Sequence, residues 1–236
     1  MASNKKNILL STLKAFLLVI IILISSFLGA FLATQYQDYS QSQDIVETFS
    51  DDEDEFSIDW DSLLAINEDI IAWIRIPDTN ISYPVVQGST NSEYIHKSIY
   101  GNYLKAGTIF VDSNISDPFN CANTIIYGHN LGNGTMFSDL RKYKNTEFGN
   151  EHNIIYIYFP DDTVLHYKFV SFHVVNSTNT NIYNPYVTDV VDYSDYVFAD
   201  NYYPDTELKE TDRLITLSTC TNWGDTRYVL HAKLIS

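Results

Sequence analysis

A cysteine and an arginine near the C-terminus are the first residues whose types and spacing suggest chemistry. Residues 214–227 read LITLSTCTNWGDTR, so Cys220 ends a β-like run and Arg227 follows after a short loop. In the alternating pattern of a strand, Cys220 shares the more polar face with Thr216 and Ser218. A nucleophilic cysteine needs a base or a cation nearby and a donor beside the carbonyl that it attacks, and a hairpin would return Arg227 to the thiol. A buried, inert cysteine remains the alternative.

Six histidines are candidates for the base. His129 is the strongest because it ends an apolar run within YGHNLGNGTMF, where a strand end meets a glycine-rich loop that a substrate can approach. The other five carry less functional signal. Three of them, His166, His173 and His231, lie inside strand-like runs, where a structural role is commoner. The other two, His96 and His152, lie in polar loops.

The second cysteine, Cys121, stands in DPFNCANTIIYGH and is expected to be a half-buried small residue before a strand. One disulfide between Cys121 and Cys220 is arithmetically possible. The sequence contains no CxxC or HExxH spacing, so we expect no metal site. It also contains no GxGxxG, GxxxxGK[ST] or GxSxG motif, and no cofactor is predicted.

The charge balance restricts the partners. The chain has 236 residues and a formal net charge of −16, with 45% hydrophobic and 14% aromatic residues, enough for a packed core. All 30 acidic residues follow Gln35. A surface of this sign repels phosphates, so nucleic acid is excluded as an expected partner.

The N-terminal region has the composition of a membrane anchor. Residues 15–33 read AFLLVIIILISSFLGAFLA without a charge, and such a helix can cross a hydrocarbon core about 30 Å thick. A cleaved signal peptide is the alternative, although its apolar region is usually shorter. Three lysines precede the run, which predicts a cytoplasmic N-terminus and an extracellular remainder. The predicted organisation is a cytoplasmic 1–14, a transmembrane 15–34, an acidic stalk 35–59 and a catalytic domain 60–236. The acidic stalk is expected to be a solvated spacer or a loosely docked helix.

The catalytic region reads as mainly β. Short runs rich in Val, Ile, Tyr and Phe are separated by Gly, Pro, Asn and Asp, a pattern typical of a barrel or sandwich. The runs are IRIPDTNISYPVVQG, AGTIFVD, NTIIYGH, NIIYIYFPDDTVLHYKFVSFHVV, DRLITLSTC and TRYVLHAKLI.

Two helices are predicted within this domain. Residues 60–74 have apolar positions at helical spacing and should form a short helix that leads into a strand. Residues 188–203 should form a helix inserted between the late strands. The side chains predicted to be on its buried side are Val191, Tyr196, Val197 and Phe198.

Three of these segments together resemble the sortases, and specifically class B. They are TLSTC at 216–220 with Arg227 downstream, YGHN at 127–130 followed by GTMFSDL, and AGTIFVD at 106–112. The resemblance covers about residues 60–236. It implies a closed eight-stranded β-barrel with N-terminal helices and a long helix before the last strands. It also implies a membrane-anchored cysteine transpeptidase of Gram-positive bacteria, which cuts a sorting signal of surface proteins and joins them to an amine of the cell-wall peptidoglycan precursor.

The resemblance assigns roles to individual residues. It makes Cys220 the nucleophile, His129 the acid and base, and Arg227 the group that holds substrate and oxyanion. Thr221 stands where some members carry an acidic residue, and an NPxTG-like or (S/P)PxTG-like signal is expected rather than LPxTG. Positions that match the family's substrate groove are Asn91, Tyr127, Tyr186 and Ser218.

Two other functions remain open at the level of sequence. A membrane-tethered cysteine hydrolase would use the same Cys220 and His129 but would give the thioester to water. A non-catalytic, membrane-anchored binding module would leave Cys220 unreactive toward an alkylating agent. The products formed with and without an added amine distinguish the first of these from a transpeptidase.

Overall fold

The computed structural model describes residues 2–51, 56–198, 207–221 and 224–236. Its first element is helix α1, Ala2–Phe49. The chain divides into two compact units, one ending at Gln41 and the other beginning at Ser42. From Thr12 onward, α1 is long and apolar enough to cross a membrane, by length and composition, and it contains the predicted span at 15–34.

The segment 35–59, for which the sequence allows a solvated spacer or a loosely docked helix, is helical in its first part. Helix α1 continues through its first part, and Ile45 and Phe49 are only 6% and 5% exposed. These two side chains lie one helical turn apart and pack in one cluster with Trp73, so this part of the helix belongs to the core. The acidic residues 52–55 lie outside the described residues. Two short paired strands follow the helix: β1 (Ser50–Asp51) and β2 (Ser57–Ile58).

A short helix and then a strand follow, as predicted for residues 60–74. Helix α2, Trp60–Ile66, begins where the Asp59 carboxylate accepts a hydrogen bond from the Ser62 backbone N–H at 3.1 Å. Such a cap satisfies one of the free N–H groups in the first turn of a helix. Strand β3 then begins at Ile70.

Eight strands form a closed barrel in the order β10, β8, β7, β3, β4, β5, β6 and β9, with β9 pairing back to β10. This confirms the predicted fold. Two pairs are parallel, β4 with β5 and β6 with β9, and the others are antiparallel. The strands are β3 (Ile70–Arg75), β4 (Ser82–Val86), β5 (Ile109–Val111), β6 (Asn123–Tyr127), β7 (Ile154–Tyr158), β8 (Val164–Asn176), β9 (Leu214–Cys220) and β10 (Thr226–Leu234).

In the described ranges, three helical segments lie between strands of the barrel. A 3₁₀ helix, Ser138–Lys144, and helix α3, Thr146–Glu151, connect β6 to β7. Helix α4, Val190–Val197, precedes β9, and its N-cap Asp189 accepts a hydrogen bond from the Val191 N–H at 2.7 Å.

Helix α4 confirms the helix predicted at 188–203 only in part, and residues 199–203 lie outside the described residues. Its buried side chains are those of Val190, Tyr193 and Val197. The prediction was wrong for Val191 and Tyr196, which are 41% and 38% exposed. The buried positions 190, 193 and 197 are three and four residues apart, as on one face of a helix, and this face differs from the predicted one.

The faces of β9 determine what the end of that strand presents. Ile215 and Leu217 lie in the main core of the barrel. Leu214 points to the other face, where it packs in one cluster with α4 residues such as Tyr193. Strand alternation therefore places Ser218 and Cys220 on the outer face of the barrel, as their polar character predicts.

Candidate active site

Cys220 and Arg227 meet across a hairpin. In the antiparallel register of β9 and β10, Arg227 is the direct partner of Cys220. The Thr221 N–H donates to the Thr226 carbonyl at 3.1 Å and closes the turn, while residues 222–223 lie outside the described residues. Directly opposite residues have Cβ atoms about 4.5–5.5 Å apart and project to the same face of the sheet. The hairpin therefore brings the guanidinium to the thiol's side of the barrel, as the sequence predicts.

His129 reaches the same end of the barrel from the other side of β9. The parallel register of β6 and β9 pairs Tyr127 with Ser218, which sets His129 and Cys220, two residues further along each chain, at the same level. The Asn130 side-chain amide donates to the Cys220 carbonyl at 2.9 Å and ties the two strand ends together. Cys220, Arg227 and His129 thus come from the ends of three neighbouring strands.

These residues share a cavity of about 490 Å³. Six of the seven site residues expected from the sequence line it, and Tyr186 does not. The lining consists of Asn91, Ile95, Thr108, Phe110, Tyr127, Gly128, His129, Ser177, Tyr183, Ser218, Thr219, Cys220 and Arg227.

The His129 imidazole has one nitrogen fixed by the backbone. Its Nε2 lies 2.8 Å from the Ile95 carbonyl, which can only accept, so Nε2 carries a proton and Nδ1 holds the free lone pair of the neutral ring. Burial lowers the pKa of His129, because a charged ring is poorly solvated there. The bond to Ile95 opposes this shift, and the like charges of His96 and Lys105 add to it.

A buried carboxylate, which the sequence did not reveal, holds two of the expected groove residues. Asp112 is 3% exposed, and its Oδ2 accepts from the Asn91 amide at 2.9 Å and from the Tyr127 hydroxyl at 3.0 Å. The Asn91 Oδ1 accepts in turn from the Ser113 N–H at 2.7 Å. Burial, and then the nearby Asp112 charge, raise the pKa of Tyr127, so its hydroxyl stays protonated. The position of Asp112 at the end of AGTIFVD was its one visible signal.

Tyr183 lines the cavity, whereas Tyr186, which was expected near the substrate groove, does not. The Tyr183 hydroxyl lies 3.0 Å from the Ser218 Oγ, and burial raises its pKa. Tyr186 is instead 69% exposed and lines a separate cavity of about 240 Å³ with α4 residues such as Asp192. The two tyrosines stand three residues apart in an irregular loop, where no periodicity indicates which of them turns inward.

The remaining cysteine lies apart from this cavity's lining. Cys121 and Cys220 are both free, and Cys121 is half-buried just before β6, as expected. Its Sγ donates to the Asn123 carbonyl at 3.3 Å. Within the described ranges, no three His, Cys, Asp or Glu side chains converge as a metal site requires.

Comparison with known proteins decides the family. A model of the sortase domain matches residues 74–235, which include the whole barrel from Ile74 onward. Sortase B of Listeria monocytogenes is 36% identical over 74% of this chain and 73% of its own, and sortase B of Staphylococcus aureus is 33% identical over 75% and 74%. The crystal structure of Clostridium perfringens sortase B matches with a TM-score of 0.68 at 30% identity, covering 75% of this chain and 99% of that one. This chain belongs to the class B sortases.

Sortases are cysteine transpeptidases, so this sortase is an enzyme of that type. Its eight-stranded barrel agrees with the solved class B structures. One of these, from Streptococcus pyogenes, matches with a TM-score of 0.69 at 27% identity over 75% of this chain and 98% of that one. In this sortase, the cavity at the ends of β6, β9 and β10 combines a thiol, an imidazole and a guanidinium.

Proposed function

We propose that this sortase cleaves a C-terminal sorting signal of surface proteins and transfers the new carboxyl end to a cell-wall amine. Cys220 is the nucleophile, His129 the acid and base, and Arg227 the group that holds the oxyanion. The observation that carries the proposal is the convergence of these three side chains on one cavity from three neighbouring strands. Together they supply a nucleophile, a proton carrier and a fixed positive charge.

In the first half-reaction, the Cys220 thiol gives its proton to His129, and the resulting thiolate attacks the carbonyl carbon of the motif threonine. The carbonyl oxygen becomes an oxyanion, which the Arg227 guanidinium stabilises because it never deprotonates at physiological pH. The C–N bond then breaks, the electron pair stays on the departing nitrogen, and His129 protonates it. The product is a thioester between Cys220 and the surface protein.

In the second half-reaction, the acceptor amine attacks the thioester carbonyl. The amine loses its proton to His129, the C–S bond breaks, and the Cys220 thiolate leaves. One peptide bond is broken and one amide bond is formed, so the reaction needs no oxidant or reductant. A water molecule in place of the amine would give the hydrolase.

His129 uses Nδ1 for these proton transfers. Its Nε2–H is bonded to the Ile95 carbonyl, so Nδ1 is the ring nitrogen that can take and return a proton. The pKa of His129 is lowered by burial, which favours the neutral ring that an attacking amine requires as a base.

The walls of the cavity suit an extended peptide with a proline. Phe110, Tyr127 and Tyr183 offer aromatic surface, while Asn91 and Ser218 offer polar atoms beside it. We assign an NPxTG-like or (S/P)PxTG-like signal to this groove. The residue after the nucleophile is Thr221, which has no carboxylate. This position therefore cannot select a basic residue in the sorting signal.

The sortase is proposed to be a single-pass membrane protein with a cytoplasmic N-terminus and an extracellular barrel. Support comes from the part of α1 from Thr12 onward, which is long and apolar enough to span a membrane, and from Lys5, Lys6 and Lys14 before the apolar run. The acceptor is proposed to be an amine of a peptidoglycan precursor. Among the related solved structures are a Staphylococcus aureus sortase B–substrate complex and a sortase B complexed with triglycine, a peptide amine.

The experiment that tests this function uses the full chain in detergent micelles with fluorogenic NPxTG, SPxTG, PPxTG and LPxTG peptides, with and without triglycine. We expect cleavage of the first three and an amide product that contains triglycine. Cys220→Ala and His129→Ala should abolish cleavage, while Cys121→Ala, the matched cysteine control, retains it. Full activity in Cys220→Ala would overturn the proposal. If the product had a free carboxyl group at every triglycine concentration, the enzyme would be a hydrolase and not a transpeptidase.

A further inference from the structure

A second histidine lies against the proposed acid and base. The His96 and His129 rings are stacked, with centroids 5.4 Å apart and planes inclined by 13°. The His96 ring also lies beside the Tyr103 ring, with the two ring centroids 5.9 Å apart. His96 is exposed, whereas His129 is half-buried, so His96 covers His129 on the side of this stack.

Both imidazoles form a hydrogen bond to a backbone carbonyl of the segment that connects β4 to β5. The His129 Nε2–H donates to the Ile95 carbonyl at 2.8 Å, and the His96 Nδ1 lies 3.1 Å from the Lys105 carbonyl. A backbone carbonyl only accepts, so His96 carries its proton on Nδ1. The two carbonyls therefore fix the tautomers of the two stacked rings.

We propose that His96 is a positioning residue for His129: its ring stacks on the imidazole and, with the Ile95 carbonyl, holds that imidazole in the orientation that leaves Nδ1 available for proton transfer. A single hydrogen bond leaves a ring free to swing about the N–H···O axis. A flat partner on one face removes that freedom. This inference rests on the proposed role of His129 and extends it to a residue that lies outside the cavity lining.

The stack also couples the two rings electrostatically. A protonated His96 repels a proton on His129, and Lys105 from the same connection acts in the same direction. The other ionisable groups that line the cavity with His129 are Tyr127 from β6, Cys220 from β9, Arg227 from β10 and Tyr183 from the loop before α4. His96 lies outside the cavity lining, but its ring stacks on that of His129.

Two substitutions separate the mechanical from the electrostatic effect. His96→Phe keeps a flat ring but cannot be protonated, whereas His96→Ala removes the ring. Because His96 is exposed, neither change should prevent folding. His166→Ala is the matched control, since the His166 ring also packs against an aromatic ring, but that ring belongs to Tyr156 and not to His129.

The experiment measures kcat and KM for a sorting peptide across pH, and follows the histidine ring NMR signals of the full chain in micelles, with His129→Gln to assign the His129 signal. We expect His96→Ala to lower kcat about tenfold with KM within about twofold, because a small misplacement of a reacting group is costly. His96→Phe should keep kcat at high pH within about twofold, while the His129 titration and the acid limb of kcat/KM move to higher pH. His166→Ala should change none of these.

Equal loss of kcat in His96→Phe and His96→Ala would overturn the positioning role. An unchanged His129 titration together with an unchanged kcat in His96→Ala would overturn the whole inference. If the wild-type chain cleaves no sorting peptide, the proposed function fails instead, and the NMR titration alone then decides whether His96 acts on His129.

Discussion

Arg227 on β10 is the direct cross-strand partner of Cys220 on β9. The pairing is set by backbone hydrogen bonds and by the turn that joins Thr221 to Thr226, so it does not depend on a bound substrate. The guanidinium Nη1 donates to the Thr226 carbonyl at 3.0 Å, which leaves other N–H groups of its fork for a developing oxyanion.

Arg227→Lys should therefore lower kcat/KM by about 10²-fold, since a lysine ammonium cannot hold the backbone carbonyl and an oxyanion in the same planar geometry. The measurement is steady-state cleavage of a fluorogenic sorting peptide. Arg213→Lys is the matched control, because the Arg213 guanidinium binds the Phe119 carbonyl and is not part of the cavity lining. A kcat/KM within threefold of wild type for Arg227→Lys would contradict the assigned role.

Gly107 supports the orientation of His129 from a distance. Its φ of +59° is left-handed, and a Cβ there would collide with the carbonyl oxygens of Tyr94 and Ile95. The Ile95 carbonyl is the acceptor for the His129 Nε2–H. Gly107→Ala should therefore lower both stability, by more than about 2 kcal/mol, and kcat.

Gly101→Ala provides the control for Gly107→Ala. Gly101 also has a left-handed φ, of +81°, but nothing lies within 4 Å of its Cβ direction. Its replacement should cost only the backbone strain, about 1 kcal/mol, and leave kcat intact. The two variants are compared by urea unfolding and by peptide cleavage, and equal effects would refute the role of the close contact.

Asp112 is expected to be a structural support for the cavity wall. Asp112→Ala leaves the Asn91 amide and the buried Tyr127 hydroxyl without their acceptor, so we expect a loss of about 2–4 kcal/mol in unfolding free energy and a higher KM. Asp117→Ala, at an exposed site whose carboxylate accepts from the Asn120 amide, should change stability by less than about 0.5 kcal/mol. If Asp112→Ala matched that control in both stability and KM, the support would not exist.

His231 predicts an acid-dependent loss of stability. It is fully buried, its Nδ1 lies 2.9 Å from the Thr216 hydroxyl, and burial and then the His173 charge hold its pKa well below the ordinary 6.5. Below about pH 6.5 the unfolded chain takes up a proton that the folded chain resists, so the unfolding free energy should fall as the pH falls, by up to about 1.4 kcal/mol per pH unit.

His231→Gln tests the origin of that slope, because glutamine can still donate to Thr216 but does not titrate. Urea unfolding between pH 5 and 7 should show a flatter dependence in the variant, by about one proton. An identical slope in the variant and the wild type would assign the acid sensitivity to other groups.

Local patterns marked the strands and offered Cys220, His129 and Arg227 as candidates, but they left a barrel or a sandwich open; the resemblance to sortases implied the eight-stranded barrel and the roles of the three residues. Strand propensity and turn residues marked the runs, and Cys220, His129 and Arg227 each lie at or just beyond a strand end, where a closed sheet brings them together. Residues in irregular segments could not be placed in this way. Whether Tyr183 or Tyr186 enters the cavity depends on how the loop before α4 packs, and nothing in its composition differs between the two.

The sequence also could not predict which side chains are buried by contacts between segments that are distant in the chain. The acidic character of residues 35–59 allowed a solvated spacer or a loosely docked helix, and it did not indicate that Ile45 and Phe49 pack in one cluster with Trp73, a residue distant in the chain. Asp112 presents the same difficulty, because its partners Asn91 and Tyr127 come from two other segments. A carboxylate that is exposed in isolation becomes a buried acceptor only after β5 and β6 have paired.

Whether Cys220 carries the acyl group is decided by trapping the intermediate. The full chain is incubated with excess sorting peptide without an amine, quenched in acid, and analysed by intact mass and by digestion. We expect an added mass equal to the peptide's acyl part, on Cys220, which disappears when triglycine is supplied before quenching. Rapid peptide cleavage with the acyl group on Cys121, or with no Cys220 adduct under conditions where the thioester is stable, would contradict this role of Cys220.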